Sequence, residues 1–290
     1  LEEARIVDLG NFELFNKIRA GSRQSNKEIR NHEALGVSPE TRGIHILWMF
    51  PDVLSMHGGR GDAMALLHFS NLMKLPCTIR RINTLTEEIP FDWADMMLFP
   101  SGDLSVMEDV CKAIMPKKAE FKRFAESGKV ILAIGNTGVL LAEKLIFLDG
   151  KVVRGLGLIG AQFKQRSKVF GDDLWVKLPD GNELLGTQIQ MADVRLRKGQ
   201  EPFAKTVYGR GNGGKGREGA RTGNVIFTHL LGPVLTKNPW FAEYLLKLSA
   251  KSARINSDRL SIPEEKIELE LQALEDCKTF VNKKIAGEIH

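Results

Sequence analysis

The chain has 290 residues, 43% hydrophobic and 27% charged, a balance that excludes disordered and collagen-like classes and leaves room for one large domain with appendages. Lys plus Arg at 41 against Asp plus Glu at 36 gives a net charge of +5, too small an excess to indicate nucleic-acid binding by itself. Three widely spaced cysteines, Cys77, Cys111 and Cys277, form neither a secreted disulfide framework nor a zinc pattern, so a reduced setting with no metal and no cofactor is expected.

Leu1-Glu2-Glu3-Ala4-Arg5 has neither the basic nor the apolar region of a secretory leader, and no apolar run approaches the roughly 20 residues of a membrane-spanning helix. A cytoplasmic protein is expected. Residues 1–43 are polar, with seven basic and seven acidic side chains and a turn-rich break at Ala20–Lys27, and read as an appendage. Ile44-His45-Ile46-Leu47-Trp48-Met49-Phe50 has the near-continuous apolar character of a strand buried on both faces, ended by Pro51. The loop Gly58-Gly59-Arg60-Gly61 follows, and Asp62 is placed to cap a helix carrying Met64, Leu67, Leu72 and Met73. Further strands are expected at Cys77–Ile82, Met96–Phe99 and Val130–Ile134, with one helix over 105–127 between the last two. This alternation predicts an α/β fold, a parallel central sheet flanked by helices.

Beyond residue 150 the pattern changes. Leu148–Lys151 and Leu178–Gly181 are hairpin-type turns between β-branched stretches, so 150–230 is expected to add antiparallel strands. Val225–Leu230 is one more strand. Asn238-Pro239 caps and opens a helix, and Ser261-Ile262-Pro263-Glu264 opens the last one in capping-box form, with Ile267, Leu271, Leu274 and Val281 on one side. The expected organisation is an N-terminal appendage (1–43), an α/β domain (44–255) and a C-terminal helical extension (256–290).

Ligands of an open parallel sheet collect at the carboxyl ends of its strands, where helix N-termini present free N–H groups. Three loops qualify: Pro51–Asp62, Pro100-Ser101-Gly102-Asp103 and Gly135-Asn136-Thr137-Gly138. The last has the strand, tight turn and helix that hold a nucleophile in hydrolases. Phe50-Pro51-Asp52-Val53-Leu54-Ser55-Met56-His57-Gly58-Gly59-Arg60-Gly61-Asp62, Val153–Leu158, Tyr208-Gly209-Arg210-Gly211-Asn212, Glu218-Gly219 and Leu231–Pro239 occur in an order and spacing that together resemble one family. Residues 44–290 are similar to the class I, CobB/CobQ-type glutamine amidotransferases, most of all to the small GatD-like glutaminase subunit that pairs with a Mur-ligase-like protein to amidate the glutamate of lipid II. The resemblance implies a flavodoxin/Rossmann-like fold and a reaction in which a cysteine thiolate attacks the glutamine amide while a histidine manages the proton.

At those positions the chain departs from the family. The elbow reads Leu132-Ala133-Ile134-Gly135-Asn136-Thr137-Gly138-Val139, which puts Gly135 in the nucleophile slot. The histidine motif reads Thr228-His229-Leu230-Leu231-Gly232-Pro233, which puts Leu231 in the base slot. The arginine expected to hold glutamine falls on Lys168, which lacks the bidentate fork that grips a carboxylate. Of three glycines in the family's oxyanion turn, Gly102 remains. The ligand-binding candidates are Gly102, Asn136, Lys168 and His229, the last also reading as a hydrogen-bonded strand histidine.

The charge excess is local. Residues 193–221 hold eight basic side chains against three acids, which accounts for the whole net charge. Arg210, Lys215 and Arg217 in their glycine-rich loop are candidates for binding a partner, with a flexible surface loop as the other reading. Neither aromatic interleaving nor a Gly-Lys-Ser/Thr phosphate loop is present, so nucleic acid is not the expected partner. The leading expectation is an amidotransferase-like subunit without glutaminase chemistry, a structural or regulatory partner of a Mur-ligase-like ATP-dependent amide ligase, whose altered pocket could take another small molecule. The alternative is an active glutaminase subunit supplying ammonia for amidation of a cell-wall precursor or a cobyrinate-like substrate.

Overall fold

In the computed structural model, which describes residues 27–289, a seven-stranded sheet carries helices on both faces. Its strands are β1 (Glu28–Arg30), β2 (Ile44–Met49), β3 (Cys77–Ile82), β4 (Met96–Phe99), β5 (Val130–Ile134), β12 (Ala220–Thr222) and β13 (Val225–Thr228), in the order β1-β3-β2-β4-β5-β13-β12. The five inner strands are parallel, with Ile44 opposite Cys77, Ile46 opposite Met96, Met96 opposite Val130 and Val225 opposite Ile131. Both edges are antiparallel. The apolar runs of the inner strands follow from covering on both sides. Ile44, Ile46 and Trp48 pack with Leu66, Phe69, Phe241 and Leu245, while Leu47 and Met49 on the opposite face pack with Val110, Ile114 and Phe121.

The helices are α1 (His32–Leu35), α2 (Gly59–Leu72), α3 (Met107–Ile114), α4 (Lys118–Glu126), α5 (Gly138–Leu141), α6 (Val234–Lys237), α7 (Pro239–Ser252) and α8 (Glu268–Ile285). A second sheet contains β6 (Lys144–Ile146), β7 (Val152–Arg154), β8 (Ala161–Lys177), β9 (Glu183–Leu196), β10 (Ala204–Tyr208) and β11 (Arg217–Glu218); its pairs are antiparallel, as expected for 150–230, except that β6, which precedes that range, runs parallel to β8. Its spine is the long β8–β9 hairpin, interrupted where 166–169 loop out between the pairs Gln165–Ala192 and Phe170–Gln190.

Four sequence expectations need correction. The appendage is not separate at its C-terminal end: β1 pairs antiparallel with β3, and Asn31 ties the joint through bonds to the Cys77 N–H, the Leu75 carbonyl and Ser70. Most of the 1–43 segment, including nearly all of the Ala20–Lys27 break, lies outside the described residues. The single helix over 105–127 is two, divided by a 3₁₀ turn at Met115–Lys117, because Pro116 has no N–H to continue an α-helical ladder. The last helix starts at Glu268 after a 3₁₀ turn at Glu264–Lys266, without a side-chain cap from Ser261. Asn238 does not cap α7 with its side chain; its amide bonds Leu185 N–H, Leu185 carbonyl and Val234 carbonyl instead.

Candidate functional site

The carboxyl ends of β2, β4, β5 and β13 meet at one place, and the turn after β5 is its centre. Gly135 leaves the strand at φ +65°, a left-handed conformation that a residue with a Cβ adopts only under strain. A Cβ on Gly135 would lie 2.6 Å from Ser101 Oγ and 3.0 Å from Leu231 Cδ2. The space in front of the elbow is therefore filled by Ser101 from the β4 loop and by Leu231 from the segment after β13. Leu231 is held there by a two-way backbone bridge to Thr187 of β9. Asn136 is buried and donates its amide to the Gly102 carbonyl at 3.0 Å. Two of the four ligand candidates are thus joined, with the Asn136 amide already engaged. Thr137 Oγ1 bonds both ends of Ile134 and the Phe99 carbonyl, which fixes the turn and leaves that hydroxyl without a free role.

The first loop serves this centre as a support. Gly58 and Gly61 lie against Pro233, where a Cβ on Gly61 would come within 2.2 Å of the proline ring. Asp62 was expected to cap its own helix, but α2 begins three residues earlier, at Gly59. Its carboxylate instead accepts from Leu235 N–H at 2.8 Å, at the start of α6. Burial pushes that carboxyl up to about 7, against the opposing effect of the Leu235 and Val234 N–H groups. Two sequence-distant motifs, Gly58–Asp62 and Leu231–Pro239, are in this way one interlocked unit.

His229 lies in a buried polar chain. Its Nδ1 is 2.7 Å from Glu218 Oε2, and Glu218 Oε1 accepts from the His229 N–H and from Thr228 Oγ1. His229 Nε2 faces Gln190 Nε2 at 3.4 Å. Gln190 Oε1 accepts from Gln188 Nε2, and Gln188 Oε1 accepts from the N–H groups of Arg210 and Gly211. The chain links β13 through β9 to the glycine-rich loop. A histidine oriented by a carboxylate is the form of a general base, yet His229 is 4% exposed. Neither buried cysteine offers it a nucleophile: burial pushes Cys77 and Cys111 each to about 12, which holds them as thiols.

Lys168 is not brought to this centre. It sits exposed on the 166–169 bulge, where its carbonyl accepts from Arg166 Nε. The arginine that does fold inward there is Arg166, which grips both oxygens of Asp193 at 3.0 Å. Arg210 holds the same carboxylate from the other side, so it too is engaged, while Lys215 and Arg217 stay exposed. Sequence reading missed Ser101, Glu218, Gln188 and Gln190 as site residues. The signal for the last two was Gln188-Ile189-Gln190 on β9, where alternation is inverted: both glutamines are buried and Ile189 is exposed.

No family model matches the chain. It is 24% identical over 211 residues to the lipid II isoglutaminyl synthase (glutamine-hydrolyzing) subunit GatD of Streptococcus pneumoniae, covering 72% of this chain and 81% of the relative. It is 24% identical over 225 residues to the subunit of the same name from Staphylococcus aureus, covering 77% and 88%. Among solved structures, a glutamine amidotransferase matches 72% of the chain at a TM-score of 0.47 and 16% identity, covering all of that chain. PurLQS from Thermotoga maritima matches 73% of this chain and 98% of that one at a TM-score of 0.48 and 16% identity.

Proposed function

We propose, for a chain that is a GatD-related, glutamine amidotransferase-like subunit, that it has exchanged glutaminase chemistry for a structural or regulatory role beside a Mur-ligase-like, ATP-dependent amide ligase. One observation carries the reading: Gly135, the nucleophile slot by resemblance, has no side chain, and Ser101 Oγ and Leu231 Cδ2 close over the place where one would start. A thiolate there would also need a base, and Leu231 stands in that slot. Neither Thr137, whose hydroxyl is tied into its own turn, nor Cys111, whose thiol is held protonated by burial, supplies a substitute nucleophile. The motifs that carry the resemblance, Gly58–Asp62 and Leu231–Pro239, interlock through Asp62 and Pro233, a scaffold whose integrity does not depend on turnover.

The test is a glutaminase assay on the purified chain, alone and with the ligase that co-purifies from its host, together with labelling by an electrophilic glutamine analogue. The expected results are no release of glutamate above background and no modified residue. Glutamate release at rates typical of an amidotransferase, or a labelled side chain near Gly135, would overturn the proposal in favour of an active glutaminase subunit. A chain that co-purifies with no ligase would remove the partner half.

A further inference from the structure

A concave site of about 700 Å³ lies on the second sheet, lined by Lys164, Arg195, Lys215 and Arg217 together with Asp193 and Asn212. This is within the roughly 300–1,000 Å³ usual for small-ligand sites. Its floor follows from strand geometry. Gln162 pairs with Arg195 and Lys164 with Asp193 across the β8–β9 hairpin, and period-two alternation puts these four side chains on one face while Phe163 and Val194 turn into the core. The glycine-rich loop forms the opposite wall. It is fixed to the floor by the Val194 N–H, which donates to the Asn212 carbonyl at 2.7 Å.

The charges here are unbalanced. Asp193, the one carboxylate in the lining, is already held by Arg166 and Arg210 from outside the cleft's lining set. Lys164, Arg195, Lys215 and Arg217 have no ion pair among the described residues. Four cations converging on one concavity repel one another unless an anion joins them. We infer that this cleft binds a small phosphorylated molecule of diphosphate size, with Lys164, Arg195, Lys215 and Arg217 holding the phosphate oxygens. The concave shape, and the absence of an exposed aromatic ring in the lining, favour a small polyanion over nucleic acid or an acidic protein surface.

Isothermal titration of the full chain with inorganic pyrophosphate, and separately with ADP, tests it. Saturable one-to-one binding is expected, weakening as salt is raised. Lys164→Ala with Arg195→Gln should reduce affinity at least about tenfold, while Lys122→Ala, an exposed change on α4, should leave it unaltered. No saturable binding at millimolar ligand would overturn the inference. So would binding that the double variant leaves intact, or retention of an oligonucleotide that pyrophosphate does not displace.

Discussion

At the scale of single residues, Ser101, Gly135 and Leu231 form a coupled set. Gly135 is at φ +65° and its missing Cβ leaves the space that Ser101 Oγ and Leu231 Cδ2 approach. Gly135→Cys should therefore destabilise the protein by about 1–3 kcal/mol through strain and overlap. Ser101→Gly added to it should recover part of that loss, an interaction that a double-mutant cycle in urea would register. Additive effects would show that Ser101 does not fill the slot. Glu218 is a second such residue, because it is fully buried and accepts from Thr228 Oγ1, His229 N–H and His229 Nδ1. Glu218→Ala leaves those donors unpaired in the interior and should cost about 3–5 kcal/mol, whereas Glu218→Gln, which keeps one acceptor oxygen, should cost less. Denaturant midpoints of the two variants check the order. Gly135 and Leu231 are singled out in the sequence by family resemblance, and the structure brings them together. Ser101 and Glu218 lie in stretches that the sequence also singles out, but their roles do not show there, since they come from contacts 34 and 11 residues away.

At the scale of elements, α2 and α6 meet through one carboxyl, and this makes their joint sensitive to pH. Burial raises Asp62 from 3.8 to about 7. Between these values the folded protein keeps a proton that the unfolded chain has released, so this group's contribution falls as pH rises through that window and is level above it. Asp62→Asn keeps an oxygen for the Leu235 N–H and carries no charge. The variant should equal or exceed the parent in stability at pH 8, and its advantage should shrink toward pH 5; urea titrations at the two values would decide, and a constant difference would count against the raised carboxyl. Local pattern made the inner strands legible, since burial on both faces writes itself as an apolar run. It misjudged element ends, where tertiary partners decide: Asp62 and Asn238 have cap-forming side chains, but each bonds a segment other than the helix it precedes or enters. Pro116 was a legible break within 105–127, because no α-helical ladder passes a proline without losing a bond.

At the scale of the whole molecule, the two sheets share their core. Leu174, Val176, Leu184 and Ala204 of the second sheet pack with Ile226 and Leu230, and Phe163 meets Phe227 of the first at 5.2 Å between ring centres. Asn238 is the polar counterpart of this apolar joint. Fully buried, it links Leu185 on β9 to Val234 at the start of α6. Shared burial predicts that the sheets unfold together. Trp48 reports on the first sheet and Trp175 on the second, so single-tryptophan versions should give superimposable urea transitions. Asn238→Ala removes bonds to one N–H and two carbonyls in the interior, a loss of about 2–5 kcal/mol. It should move both transitions to lower urea by the same amount, because the apolar contacts across the joint remain. Two separated midpoints, with the Trp175 signal lost first, would instead make the second sheet an independent unit held to the first mainly by Asn238.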